Sequence, residues 1–202
     1  MNTFHISALA AALAFSAGAI AAQGITKDEN KSGKDRIAAD YKEAKAACAS
    51  QTANAKDVCM AEAKGREKVA RAELEARYMP GAKGDYAVSV AKAEADYAVD
   101  REKCDDKAAD ARQACVKEAK ATEARAKDTA KAHLKTTAAN KGDILKEPSL
   151  KSAEINVETY KGVVQLSGFV RSKADIDKAV QVARGVKGAA SVKNDMIVKG
   201  QQ

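Results

Sequence analysis

Four cysteines, arranged as two copies of one short element, constrain the fold of this 202-residue chain more than any other feature. The stretch CASQTANAKDVCMAEAK begins at Cys48, and CDDKAADARQACVKEAK begins 56 positions later at Cys104. Each copy places ten residues between its cysteines and ends with Glu-Ala-Lys. A repeat of this length predicts a duplicated supersecondary unit. We expect the two units to cover about residues 38–79 and 94–135.

Both units are predicted to be helical, because Ala, Lys, Glu and Arg are strong helix formers. On one uninterrupted helix, cysteines eleven positions apart would lie about 16 Å from each other. A disulfide needs Cα atoms within about 7 Å, so the two cysteines of one unit can bond only if the helix breaks between them.

Two disulfide connectivities are compatible with this geometry. In the one we favour, the chain turns inside each unit and pairs Cys48 with Cys59 and Cys104 with Cys115. Residues 54–57 and 110–113 resemble capping boxes at equivalent positions of the repeat, which indicates that a helix restarts there. In the alternative, two long helices fold back at residues 79–85, a segment with Pro and Gly, and pair Cys59 with Cys104 and Cys48 with Cys115.

Large apolar side chains are scarce between residues 34 and 140, and the chain has no Trp and only 4% aromatic residues. Burying one large apolar side chain stabilises a fold by roughly 1.5–3 kcal/mol, whereas ordering one backbone residue costs about 1–2 kcal/mol. This alanine-rich helical region, residues 34–140, therefore needs covalent support. We expect each disulfide to contribute roughly 2–4 kcal/mol.

The first 22 residues are predicted to be a secretory signal peptide. Residues 6–20 are uncharged and apolar, and Ala19 and Ala21 are the small residues that precede a cleavage site near Ala21 or Ala22. Export would place the cysteines in an oxidising compartment, where they form disulfides. Residues 23–33 are polar and are expected to be a disordered flank. No other apolar run is long enough to span a bilayer, so no transmembrane span is expected in the mature chain.

Near residue 141 the composition shifts towards β-branched residues and glycine. A short helix around residues 142–151 precedes two alternating apolar runs that predict a β-hairpin. Ser172 and Asp175 resemble the cap of an amphipathic helix that stops at Gly185, and a third strand follows. The predicted fold is α+β: antiparallel helical hairpins or a bundle, then a small α-β-β-α-β domain at residues 141–200.

This C-terminal sequence resembles a BON domain of the OsmY type. The resemblance rests on the hairpin glycine Gly162, the LSG motif ending at Gly168, the V-x-G motif ending at Gly188 and the V-x-N motif ending at Asn194. It implies that the three glycines are structural. It also implies a periplasmic protein, associated with envelope or osmotic stress, that binds phospholipid or membrane surfaces and has no catalytic role.

From residue 146 onward, ten Lys and Arg residues stand against six Asp and Glu residues, a net charge of +4. A basic residue near an anionic leaflet is worth about 1 kcal/mol, so this surplus favours a lipid-facing surface. The candidate lipid-facing residues lie in or beside predicted loops: Lys161, Arg171, Lys173, Lys187 and Lys193.

The sequence gives little support for catalysis. His133 is the only histidine after residue 22, no nucleophile or phosphate-loop motif is present, and the cysteine spacing matches neither zinc knuckles nor a CxxC redox site. We therefore predict no enzyme activity, cofactor or metal. Acidic residues interleave with the basic ones and aromatics are scarce, which argues against a nucleic-acid partner. The alternative function is a periplasmic chaperone-like or protein-interaction module that uses the helical region.

Overall fold

A computed structural model of the chain describes residues 24–150 and 154–199. The predicted signal peptide and its cleavage site lie outside the described residues. The elements are α1 (Lys27–Ala47), α2 (Ala53–Tyr78), α3 (Ala82–Cys104), α4 (Ala109–Lys146), β1 (Ile155–Tyr160), β2 (Val163–Val170), α5 (Lys173–Gly185) and β3 (Ser191–Val198). Four helices followed by a small sheet with its own helix confirm the predicted α+β class.

The first helix begins earlier than the sequence suggested. Thr26 caps it: the Thr26 hydroxyl accepts from the backbone N–H of Glu29, and the Glu29 carboxylate accepts from the backbone N–H of Thr26. Gly33 is buried, and an added Cβ there would press into the side chain of Leu74. The expectation of a disordered flank at residues 23–33 was therefore wrong from residue 27 onward, because a capping box and a close helix contact order this segment.

Each cysteine pair closes its own helical hairpin. The structure contains the disulfides Cys48–Cys59 and Cys104–Cys115, and in both the Cα atoms are 5.7 Å apart. The chain turns within each repeat, as the favoured connectivity requires. The helices do not restart at the predicted capping boxes, however. The N-cap residues are Thr52 and Ala108, and neither makes a side-chain capping hydrogen bond.

The four long helices pack mainly on their neighbours in the chain, so α1, α2, α3 and α4 form an antiparallel series. Small residues bring the helix axes close together. Gly65 of α2 faces Ala95 of α3, and a Cβ added to Gly65 would lie 3.0 Å from the Ala95 Cβ. The buried apolar residues of this region are mostly alanines, with Leu74 as the one large aliphatic side chain among them. The core is therefore thin, as the composition predicted.

A charged network joins three of these helices. Glu94 of α3 accepts from Lys68 of α2 and, at 2.7 Å, from Lys127 of α4. Lys127 also contacts Glu123, again at 2.7 Å. Hydrogen bonds from Lys127 and then Lys68 hold the pKa of Glu94 below its usual value. The network therefore binds the middle helices together where apolar contacts are small.

The fourth helix belongs to both halves of the molecule. It continues without a break through the predicted boundary at residues 140 and 141, and it replaces the separate short helix expected before the hairpin. Its last turns enter the core of the C-terminal module through Ile144, which is 1% exposed. The composition shift near residue 141 marked a boundary in the sequence, but Gly142 is accommodated within the helix.

The C-terminal module is a three-stranded sheet in the order β1-β2-β3. Strands β1 and β2 are antiparallel, with Val157 opposite Leu166, and β3 runs parallel to β2. One face of the sheet packs against α5 and the end of α4. The core cluster contains Ile144, Leu150, Ile155, Val157, Val164, Leu166, Val170, Ala179, Ala183 and Met196. The other face of the sheet carries the side chains that alternate with these.

Candidate functional site

The β1–β2 turn is held from two sides. The backbone N–H of Lys161 donates to Nε2 of His133 on α4, at 3.0 Å. The carbonyl oxygen of Gly162 accepts from the backbone N–H groups of Ala190 and Ser191, at 2.7 and 3.3 Å. The turn is thus fixed to the long helix and to the α5–β3 loop, and these three segments together form one end of the module, which we call the turn end.

Two of the predicted structural glycines have positions that exclude a side chain. Gly188 has φ of 98°, and an added Cβ would lie 2.8 Å from Oγ1 of Thr136, which is buried on α4. Gly168 has φ of 116°, and an added Cβ would collide with the carbonyl oxygen of Glu154. Gly162, the third, lies in the turn. The lack of a side chain at Gly188 lets the α5–β3 loop pack directly on α4. The lack of a side chain at Gly168 lets β1 approach β2.

The structure does not bring the five predicted basic residues together. Lys161 and Lys187 lie at the turn end, each beside one of the glycines described above. Both are exposed, and neither has a carboxylate partner within the described ranges. The ammonium group of Lys161 lies 5.3 Å from the ring centroid of Tyr160. Arg184, in the last turn of α5, is exposed at the same end and is also without a carboxylate partner there.

Arg171 and Lys173 lie at the opposite end of α5, a 13-residue helix about 20 Å long. Arg171 donates to the carbonyl oxygen of Ser149 at 2.7 Å, and its guanidinium lies 3.6 Å from Asp175. Lys173 lies 3.8 Å from Asp177. Arg171 therefore fixes the first part of the α4–β1 connection to the start of α5, and its charge is partly neutralised.

Lys193 lies on the open face of the sheet, on β3, with its ammonium group 3.2 Å from Asp195. The same face exposes large apolar side chains. Phe169 of β2 and Ile197 of β3 are register neighbours, and they are 41% and 43% exposed. Val163 and Tyr160 are exposed nearer the turn end. The open face is therefore partly apolar and partly charged.

Two acidic side chains, one from the helical region and one from the sheet, interact electrostatically. Burial raises the pKa of Asp85, at the start of α3, and the negative charge of Glu158 on β1 raises it further.

Within residues 24–150 and 154–199 there is no group of three or more His, Cys, Asp or Glu side chains that could hold a metal ion. In the same part of the chain, no helix is both long and apolar enough to cross a membrane.

The family model for the BON domain matches residues 124–200. The C-terminal part of the chain is a BON domain. The match begins within α4, so the BON domain includes His133 and Thr136 as well as the sheet. A relative, osmotically-inducible protein Y of Escherichia coli (strain K12), is 42% identical over 86 residues. That match covers 42% of this chain and 40% of the relative, so the chain spans less than half the length of the relative it matches.

Sequence reasoning missed the contribution of α4 to the BON domain. In the sequence, His133 is only an isolated histidine, and nothing singles out Thr136. Their partners are Lys161 and Gly188, which lie 28 and 52 positions further along the chain. A histidine and a buried threonine near the end of a long alanine-rich helix were the available signals, but neither identifies a distant partner. Arg184 lies inside a predicted helix, so the search for basic residues in loops does not select it.

Proposed function

We propose that this chain is a non-enzymatic periplasmic protein of the cell envelope that associates with phospholipid surfaces in envelope or osmotic stress. The name of the E. coli relative, osmotically-inducible protein Y, supports the link to osmotic stress. The two disulfides support an exported location, because such bonds persist in oxidising compartments such as the periplasm. The BON domain supports contact with membrane surfaces.

The observation that carries the lipid proposal is the group of unpaired cations at the turn end. Lys161, Arg184 and Lys187 are exposed, and the fold brings the β1–β2 turn, which carries Lys161, next to the end of α5 and the α5–β3 loop, which carry the other two. Basic residues close to an anionic membrane contribute about 1 kcal/mol each, so three of them would contribute roughly 3 kcal/mol, or about a hundredfold in partitioning.

Co-sedimentation of the full chain with vesicles tests this proposal. We expect binding to vesicles that contain phosphatidylglycerol, weaker binding to vesicles of phosphatidylcholine alone, and a loss of binding as salt is raised. The triple variant Lys161→Gln, Arg184→Gln and Lys187→Gln should bind the anionic vesicles about a hundredfold more weakly. These three side chains are exposed, so the fold should be unaffected.

A charge-matched control distinguishes a local site from general attraction. Lys42, Lys64 and Lys120 are exposed on the helical region and have no carboxylate partner in the described structure. Changing these three to Gln removes the same net charge and should leave vesicle binding nearly unchanged. Equal loss of binding in both triple variants would refute the turn end as the lipid-facing surface.

A non-enzymatic role is supported by the state of His133. Its Nε2 atom accepts the backbone N–H of Lys161, and its ring lies 5.8 Å from that of Tyr160, so this histidine has a structural contact. No second titratable side chain is hydrogen-bonded to it in the described part of the chain. An acid–base pair of the kind that proton transfer requires is therefore not formed around it.

A second candidate function is a chaperone-like or protein-interaction role for the helical region. A groove of about 540 Å³ lies between α1, α2 and α3. Its lining combines apolar and charged side chains, among them Arg36, Ile37, Asp40, Glu73, Arg77 and Val88. For this role we expect the full chain to suppress the aggregation of an unfolded client protein. Ile37→Asp and Val88→Asp should reduce the effect, and the turn-end triple variant should leave it intact.

A further inference from the structure

Strand β3 is an edge of the sheet, and in the described residues no element packs along its outer side. Its backbone groups alternate in direction. The N–H of Lys199 donates to the carbonyl oxygen of Val170 on β2, at 2.8 Å, whereas the N–H of Met196 donates to Oδ1 of Asn194, at 3.1 Å. The even-numbered residues of β3 therefore direct their N–H and C=O groups outward, away from β2.

An outward-facing ladder of this kind can pair with another strand. Two identical strands that pair antiparallel about a twofold axis match residues whose numbers have a constant sum. For the outward groups to bond to each other, the axis must pass through a residue and not between two residues, because the sum is then even and even-numbered residues lie directly opposite one another. Asn194 is the even-numbered residue nearest the middle of β3.

The side chains also favour this register. With the axis through Asn194, Lys193 lies opposite the second copy's Asp195, and Asp195 lies opposite the second copy's Lys193. An axis through Lys193 would instead place the two lysines opposite each other, and one through Asp195 would do the same with the two aspartates. Opposite charges stabilise a cross-strand pair and like charges destabilise it. Among the axes that the backbone directions allow, charge complementarity thus selects Asn194 over its two neighbours.

The side chains on the inner face of the sheet are also compatible with an axis through Asn194. In the same register, Val192 lies opposite the second copy's Met196, and both side chains belong to the apolar face that packs on α5. Pairing would continue the three-stranded sheet into six strands, with the α5 helices of both copies on one side. In the monomer, Oδ1 of Asn194 satisfies the N–H of Met196, so the edge has a polar cap that pairing would displace.

We propose that β3 is an assembly edge, at which a second copy of this chain pairs antiparallel about a twofold axis through Asn194. The partner is recognised by outward backbone groups and by two reciprocal Lys193–Asp195 ion pairs. This inference does not depend on lipid binding, since neither Lys161, Arg184 nor Lys187 takes part. It predicts a homodimer whose affinity depends on the signs of the charges at residues 193 and 195.

Sedimentation velocity of the full chain over a range of concentrations, in vesicle-free buffer, tests the proposal. We expect a concentration-dependent monomer–dimer equilibrium. Lys193→Asp places like charges opposite each other in both symmetry-related pairs and should raise the dimer Kd roughly tenfold or more, as should Asp195→Lys. The double variant Lys193→Asp with Asp195→Lys restores complementarity and should return the Kd to within about threefold of the original.

A second measurement probes the axis itself. The native cysteines are all paired, so Asn194→Cys would add one free thiol. Directly opposite residues in a hydrogen-bonded antiparallel pair have Cα atoms about 5.5 Å apart, within disulfide range. Mild oxidation should therefore give a covalent dimer, whereas Ser191→Cys, opposite the second copy's Ile197, should give little.

Thermal unfolding of each variant identifies any that fail to fold. A monomer at every concentration overturns the proposal, as does a double variant that dimerises no better than the single ones. Equal cross-linking of Asn194→Cys and Ser191→Cys overturns the proposed axis.

Discussion

The backbone N–H of Lys161 donates to Nε2 of His133 at 3.0 Å, and this contact ties the β1–β2 turn to the long helix α4. Lys161 has φ of 47°, so the turn holds a lysine in a left-handed conformation that needs support from its surroundings. The imidazole supplies that support by accepting a hydrogen bond from the backbone N–H of Lys161, which faces away from the sheet. The geometry of the turn end therefore depends on a residue from the helix as well as on the turn sequence.

We expect His133→Ala to destabilise the fold by about 1 kcal/mol, the value of one hydrogen bond, and to loosen the turn. The effect should appear in amide hydrogen exchange as faster exchange at Lys161. His133→Gln provides the control, because its amide oxygen can accept the same N–H and should restore much of the protection. Unchanged exchange at Lys161 in the alanine variant would show that the contact does not hold the turn.

The two disulfides should contribute nearly equally to stability. Both join cysteines eleven positions apart, and closing a loop of that size in the unfolded chain stabilises by about 3 kcal/mol. Replacing Cys48 and Cys59 by Ala, or Cys104 and Cys115 by Ala, should each lower the free energy of unfolding by about that amount in urea titrations. A reducing agent should lower the free energy of unfolding further in either double variant, which keeps one disulfide. It should lower the free energy of unfolding most in wild type, which has two.

Peptide mapping under non-reducing conditions checks the connectivity directly. Lys56 separates Cys48 from Cys59, and Lys107 and Arg112 separate Cys104 from Cys115, so trypsin cuts between the partners of each pair. We expect linked peptides that contain Cys48 with Cys59 and Cys104 with Cys115. A peptide that joins Cys59 to Cys104 would contradict the hairpin arrangement.

The ion network around Glu94 should give the protein an acid-sensitive component of stability. Lys127 and Lys68 lower the pKa of Glu94 below 4.5, its value in the absence of such partners. A depressed pKa means that the stabilisation is complete above about pH 4.5 and is lost as the pH falls through the lower value of the folded state.

Glu94→Gln should therefore lower the free energy of unfolding by about 0.5–1 kcal/mol at pH 7 and by less at pH 3. Glu43→Gln, at an exposed carboxylate on α1 with no ion pair in the described structure, is the matched control and should have little effect at either pH. Urea midpoints at the two pH values measure the difference. If Glu94→Gln lowered the free energy of unfolding equally at pH 7 and pH 3, the ion network would be ruled out as the source of the effect.

Two glycine substitutions should act in opposite directions. Gly168→Ala forces a side chain into a left-handed conformation and against the carbonyl of Glu154, and should cost about 1–3 kcal/mol from backbone strain alone. Gly142→Ala, in the interior of α4, meets no atom within 4 Å and should stabilise by about 0.5–1 kcal/mol. Melting temperatures of the two variants should fall on either side of the wild-type value.

Local sequence signals predicted the C-terminal module well. The alternating apolar residues gave both hairpin strands, and the hydroxyl of Ser172 accepts from the N–H of Asp175 at 3.2 Å, as the cap pattern predicted. Helix α5 ends at Gly185, also as predicted. These features depend on residues only a few positions apart, so their energies are visible in the sequence.

The errors concern contacts between distant segments. Residues 27–33 have a polar composition typical of a disordered flank, but Gly33 is helical because it fits against Leu74, 41 positions away. The predicted basic surface failed as a single patch for a related reason. Lys161 and Arg171 are ten positions apart, yet β2 carries them to opposite ends of the sheet. Composition reports the charge of a region, whereas the strand directions decide which charges meet.

The 38 residues of α4 form one rod about 57 Å long that starts at the stapled hairpin tip and finishes inside the sheet domain. A ligand bound at that tip is consequently connected to the BON domain through continuous helix and not through an irregular linker. Cutting the chain after residue 140 would divide α4, so neither fragment would keep the complete helix. The helical region and the BON domain are thus joined through one continuous helix.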